Sequence, residues 1–264
     1  MKKRLMSVAG TFYPNDCQEI KSFIKRFDDI LAHHDIKVPK QKAKALICPH
    51  AGYVYSGFTA NIAYKSVETK GIKRVVVIGP SHRVYLEGVS VAKYDAFDTP
   101  CGSIMIDKDF TKKLYDEFPF VTFIDDAHHE HSTETQMPFV KRYFPDAKVV
   151  ELVYGKIDFK LLSFVVEEVL NQPDTILVIS TDLSHFYTIE QAKKLDNICL
   201  NAVLKKDLEL FDKGCEACGI IGVKALIMIA KKLNLDIKLL DYRTSFDASG
   251  DDKRVVGYSS FIVS

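Results

Sequence analysis

The chain has 264 residues, 47% of them hydrophobic and 27% charged, with a formal net charge of +1. That balance supports a sizeable core and leaves no strong field to recruit nucleic acid, a membrane surface or acidic partners. No apolar run nears the roughly 18 residues of a membrane-spanning helix, and the basic opening Met1-Lys2-Lys3-Arg4 has no apolar stretch behind it, so a cytoplasmic address is expected by elimination.

In chain order, Lys44–Cys48 is a short apolar run ending at Pro49, and Gly57–Glu68 has helical spacing. Arg74–Ile78 is a continuous β-branched strand closed by Gly79-Pro80. A helix is expected over Lys108–Glu117, a strand over Val121–Ile124, one helix over Thr133–Tyr143 and a strand over Lys148–Val153. Phe159–Leu170 reads as a helix and Thr175–Ser180 as a buried strand. Helices follow at Ile189–Leu204 and Ile220–Lys232, and strands at Asp236–Tyr242 and Arg254–Val263 close the chain. No repeat, low-complexity tract or linker divides it. The alternation predicts a single α/β domain with a mainly parallel or mixed sheet, flanked by helices on both faces. Such sheets bind ligands beyond the carboxyl ends of their strands.

Three buried runs are followed by a histidine: His50 in Pro49-His50-Ala51-Gly52, His82 in Ser81-His82-Arg83, and His185 in Asp182-Leu183-Ser184-His185. If these strands are neighbours, the imidazoles converge on one cleft, and imidazole is the commonest protein ligand for zinc, iron and copper. A single such histidine is more often a polar loop residue. Asp125–Glu134 carries three more, His128, His129 and His131, among carboxylates. Much of this segment is helix-capping chemistry, but so many imidazoles exceed what capping needs. His131 is the one expected to reach the cleft.

Cys215-Glu216-Ala217-Cys218 precedes an apolar helix. Its spacing fits a redox pair, half of a zinc site, a ligating thiolate at a helix start, or two packed cysteines. All six cysteines read as thiols or ligands rather than a disulfide framework. Neither Gly52 nor Gly57 belongs to a phosphate-binding loop. Tyr53, Tyr55 and Arg83 are candidates to line a substrate pocket, Arg83 by pairing with an anionic group.

Six segments resemble the Memo family, the B component of the AMMECR–Memo–radical-SAM gene grouping: AGTFYP at 9–14, CPHAGYVYSG at 48–57, GPSHR at 79–83, EHSTETQMPF at 130–139, STDLSHF at 180–186 and CEACGIIGVKALI at 215–227. They run in family order over nearly the whole chain. The resemblance implies a fold similar to the class III extradiol (LigB-like) dioxygenases, which use non-haem iron(II). It implies metal ligation by His50, His82 and Cys218, with His185 where the dioxygenases place an acid/base histidine. It also implies a functional link to AMMECR-type and radical-SAM proteins. The dioxygenases use a carboxylate as third ligand; a cysteine here makes a softer site and argues against ring cleavage.

The expected cofactor is one transition-metal ion, iron or copper ahead of zinc. The expected activity is redox or oxygen-dependent chemistry on a small molecule or peptide. His185 and His131 would move protons, and Asp182 and Glu130 would orient the histidines. The alternatives are a non-catalytic metal-binding adaptor docking a partner in the same cleft, and a zinc hydrolase.

Overall fold

The structure is a computed structural model describing residues 1–264. Nine strands form one large sheet: Ala45–Cys48 (β1), Arg74–Pro80 (β2), Val89–Val91 (β3), Val121–Thr122 (β4), Lys148–Tyr154 (β5), Thr175–Ser180 (β6), His185–Tyr187 (β7), Ile237–Thr244 (β8) and Val255–Val263 (β9). The order is β7-β9-β1-β6-β2-β5-β3-β4, with β8 also paired to β9. The four central strands β1, β6, β2 and β5 are parallel. The flanking pairs β9–β1, β8–β9 and β3–β5 are antiparallel, so the sheet is mixed.

The central strands read as unbroken apolar runs because both faces are covered. Val76, Ile78, Leu177 and Ile179 point into the core beneath the Phe159–Leu170 and Ile220–Lys232 helices. Val75, Val77, Ile176 and Val178 point into a second core beneath the Cys17–His33 and Tyr53–Lys65 helices. This is the expected α/β architecture with helices on both faces.

Local differences have local causes. The expected Thr133–Tyr143 helix is two, His131–Glu134 and Met137–Tyr143. Pro138 explains the break, since it has no N–H and its ring collides with the carbonyl four residues back. The helix expected from Gly57 begins at Tyr53, with Gly52 in the capping position. The Cys17–His33 helix lay outside the expected elements; Asp16 caps it, accepting from the backbone N–H of Gln18 and Glu19 at 2.8 and 3.0 Å.

The reading of six cysteines as thiols or ligands is corrected. Cys17 pairs with Cys101 and Cys199 with Cys215; only Cys48 and Cys218 are free. The fold brings each pair to a Cα separation of 4.8 Å, although they lie 84 and 16 residues apart in sequence. Loop-closure entropy gives about 3 kcal/mol for a bridge of the shorter span. Reduction of Cys199–Cys215 is therefore expected to lower the thermal midpoint by several degrees. Under non-reducing denaturation, thiol titration should find two reactive groups per chain, and six would remove both bridges.

Candidate metal centre

Three adjacent strands end side by side. Cys48 of β1 sits opposite Ser180 of β6, and Ile78 of β2 opposite Ile179 of β6. The residues two positions beyond each strand, His50, His82 and Asp182, therefore emerge on one edge. Ring centroids of His50 and His82 lie 5.2 Å apart, those of His50 and His131 5.4 Å, and those of His82 and His131 4.6 Å.

Cys218 comes from the other side, just before the Ile220–Lys232 helix. Its Sγ lies 3.3 Å from His50 Nε2 and accepts from the Asp182 backbone N–H at 3.2 Å. Single ligand atoms of His50, His82 and Cys218 all fall within 4.8 Å of one another. A point about 2.8 Å or less from each therefore exists, against metal bonds of about 2.0–2.3 Å, so contraction of about half an ångström would close the site. The donor set fits a transition-metal ion: two imidazoles and a sulfur, with an approach over the His82 ring, which is 31% exposed. His82, Glu130 and His131 form a second overlapping group of donor atoms.

The surrounding groups hold the histidines in place. Glu130 is buried and accepts the His82 backbone N–H at 2.6 Å, and His82 Nδ1 lies 3.2 Å from its Oε1. His131 Nδ1 lies 2.8 Å from the same oxygen, without the alignment of a regular hydrogen bond. Burial pushes the Glu130 carboxyl up, but the His131 and His82 contacts outweigh it and hold it well below its usual range. Asp182 Oδ1 accepts the His50 backbone N–H at 2.7 Å. Burial raises the Asp182 carboxyl, with the His50 N–H working against it. Burial, then repulsion from His82 and His131, drives His50 well below the ordinary imidazole value, so it is neutral, the form that binds metal. Burial, and then Asp182, push the Cys218 thiol up to about 12. A cation alongside it reverses that shift, because a coordinating thiol is deprotonated outright.

A cleft of about 420 Å³ opens beside this group, lined by Phe12, Tyr55, His131, Asp182, His185 and Phe186 among others. His185, at the start of β7, thus borders the cleft rather than the ligand cluster. Tyr55 lines it as expected. Tyr53 does not: it is buried, stacked on Phe139 at 4.7 Å, with its hydroxyl donating to the Thr135 carbonyl at 2.9 Å. Arg83 is exposed and joins no ion pair. His128 is enclosed elsewhere, between Glu151 Oε2 at 3.0 Å and Ser90 Oγ at 2.9 Å.

Glu134 has a different task. It accepts from the backbone N–H of Val8 at 2.8 Å, Ser7 Oγ at 2.6 Å and Tyr13 Oη at 2.8 Å, and pairs with the buried Arg4 guanidinium. It ties down the N-terminal segment, whose Phe12 packs on His131 with centroids 4.7 Å apart. Sequence reasoning missed Ser180 and Gln136. Ser180 Oγ lies 3.0 Å from His50 Nδ1, and Gln136 Nε2 lies 3.0 Å from Ser180 Oγ. Both lie inside segments that carry the family resemblance, Gln136 in EHSTETQMPF and Ser180 at the start of STDLSHF, but nothing in those segments assigned them a role.

Fold and site together define an α/β protein with a His₂Cys group able to hold a metal ion at the carboxyl edge of its parallel strands. The chain belongs to the Memo family: the Memo-like protein family profile matches residues 4–262. It is 35% identical to a MEMO1 family protein of Aquifex aeolicus, over 99% of both chains. It is 33% identical to a MEMO1 family protein of Sulfurisphaera tokodaii, over 97% of this chain and 98% of the relative. A crystal structure of an uncharacterised protein from Escherichia coli K12 is similar in fold, with a TM-score of 0.51 and 12% identity, over 84% of this chain and all of the other.

Proposed function

We propose that this protein binds one transition-metal ion through His50, His82 and Cys218 and uses it in redox or oxygen-dependent chemistry. The substrate would be a small molecule or peptide held in the adjoining cleft. The single observation that supports this is the convergence of the three donor atoms within 4.8 Å, although they come from distant parts of the sequence. When bound, such an ion supplies one-electron chemistry if it is iron or copper, and Lewis acidity if it is zinc.

The chain's own residues would do the rest. Glu130 keeps His82 and His131 turned inward. Asp182 fixes the His50 main chain. His185, on the cleft wall, is placed to take or give a proton to a ligand there, and His131, which lines the same cleft, can do so too. A sulfur ligand favours copper(I) or zinc over the harder iron(II) face of two histidines and a carboxylate, and it is itself oxidisable. Ring cleavage is therefore not proposed.

A non-catalytic adaptor is the second reading. It is favoured by Phe186, which is 62% exposed on the cleft rim. The functional link to AMMECR-type and radical-SAM proteins belongs with it as a proposal about partners. No helix is long and apolar enough to cross a membrane. The address proposed is the cytoplasm; the two disulfides oppose it, because a glutathione-reduced compartment opens most such pairs. Alkylation of thiols inside intact cells decides between them.

Elemental analysis after anaerobic purification tests the central claim. About one equivalent of iron, copper or zinc per chain is expected for the wild type, and a small fraction of that for His50→Ala. Equal metal in both would remove His50 from the site and the proposal with it. Full loading without turnover on any substrate, with a partner protein masking the cleft, would favour the adaptor.

A further inference from the structure

We propose that Ser180 locks His50 as the Nδ1–H tautomer, leaving Nε2 unprotonated towards Cys218 before any ion arrives. The inference rests on reading His50 as a ligand, but it concerns the chain's own hydrogen bonds and is tested without a metal.

Two main-chain carbonyls, which can only accept, set the polarity of the hydrogen bonds around His50. Gln136 Nε2 lies 2.8 Å from the Pro49 carbonyl oxygen, which fixes that atom as the amide nitrogen. Its Oε1 accepts from Tyr64 Oη at 3.1 Å, consistent with the same orientation. Ser180 Oγ lies 2.5 Å from the Ser132 carbonyl oxygen, so the single hydroxyl proton of Ser180 is committed there. Gln136 Nε2 spends its other proton on Ser180 Oγ at 3.0 Å. Ser180 then has one lone pair left, and its remaining neighbour is His50 Nδ1 at 3.0 Å. Only a protonated Nδ1 completes that contact. In neutral imidazole one nitrogen donates and the other accepts, so Nε2 carries the lone pair. That is the nitrogen 3.3 Å from Cys218 Sγ.

No water competes for these positions. Ser180, Gln136 and Tyr64 are fully buried and His50 is 2% exposed. A buried polar group without its partner is costly, so the polarity of the chain is set throughout. Both carbonyls sit beside site residues, Pro49 next to His50 and Ser132 next to His131. Main-chain placement at the strand ends thus dictates the ligand tautomer through one serine hydroxyl. Ser180 is a positioning residue: it does not touch an ion, and it acts through His50.

The readout is the ¹⁵N spectrum of metal-free protein labelled at histidine. The wild type should show His50 with a protonated Nδ1 and an unprotonated Nε2. Ser180→Ala should shift the ring towards Nε2–H and weaken zinc binding, measured against a chromophoric chelator, by about 10- to 100-fold, the usual cost of losing a partner of a metal-bound histidine. Ser180→Thr keeps the hydroxyl and should restore both. A wild-type His50 carrying its proton on Nε2, or on both nitrogens, would overturn the proposal, as would an unchanged tautomer in Ser180→Ala. If the alanine variant does not fold, the wild-type spectrum and Ser180→Thr decide. A wild type with the expected tautomer that binds neither zinc, copper(I) nor iron(II) supports the lock and overturns only the reading of His50 as a ligand.

Discussion

Cys218→Ser is expected to weaken zinc and copper(I) binding by about 10²-fold or more, while Cys218→Asp should bind iron(II) better than it binds copper(I). Structural zinc sites with four protein ligands supply about 10–16 kcal/mol, so one ligand's share is about 3 kcal/mol, roughly a factor of 10². The serine hydroxyl is nearly isosteric with the thiol but is a poor donor to soft ions. The aspartate variant would recreate two histidines and a carboxylate, the face that suits iron(II). Cys218 is placed for this experiment: its sulfur already accepts the Asp182 N–H, and Gly219 beside it donates to Thr181 Oγ1 at 2.8 Å, so the turn is held apart from the sulfur. Competition titrations under anaerobic conditions measure both effects. Equal zinc affinity in wild type and Cys218→Ser would mean that the sulfur does not ligate. The site would then be the overlapping His82, Glu130 and His131 group.

That prediction depends on residues legible to different degrees in the sequence. His50, His82 and Asp182 were readable because parallel strands place the residues after them on one edge, and continuous apolar runs marked those strands. Cys218 was not readable this way. It reaches the cluster from before a helix, and only resemblance to the Memo family separated a ligand from a redox or packed cysteine. Ser180 and Gln136 fall within two of the resembling segments, but their role was hidden, since a buried hydroxyl ending a strand looks like any strand end. The disulfides were hidden for a different reason: bridges follow the distance between Cα atoms, which sequence spacing does not report. The Cys17–His33 helix was readable. Its buried Ile20, Ile24, Phe27 and Leu31 recur at helical spacing, but it stands outside the strand–helix alternation and escapes a reading built on that. Tyr53 was misplaced because its helix begins earlier than Gly57, turning the ring into the core.

Glu134→Ala is expected to cost about 3–5 kcal/mol, because it leaves the buried Arg4 guanidinium without its counter-charge. Arg4 and Glu134 are both essentially inaccessible to water, so solvent cannot compensate. The same carboxylate gathers the Val8 and Ser7 N–H groups and the Tyr13 hydroxyl, so the loss concentrates in the N-terminal segment. Hydrogen exchange in residues 4–13 should rise more than exchange in the central strands. Phe12 leaves His131 when that segment lifts, so the cleft wall is lost with it. The pH dependence has a definite sign. Burial raises the Glu134 carboxyl, but Arg4 and the Ser7 and Val8 hydrogen bonds bring it below its unfolded value. A carboxylate depressed in the folded state stabilises above its unfolded pKa, and that contribution fades as pH falls through the folded value. Wild-type stability should therefore drop on acidification below the ordinary carboxylate range, and Glu134→Gln should show a shallower drop over the same interval. Denaturant unfolding at neutral and acid pH measures both slopes. A Glu134→Ala variant within about 1 kcal/mol of wild type, far below what removing one partner of a buried pair costs, would show that Arg4 finds another anion or reaches water. The N-terminal segment would then owe its place over His131 to its other ties, chief among them the Tyr53 N–H donating to the Phe12 carbonyl at 2.7 Å.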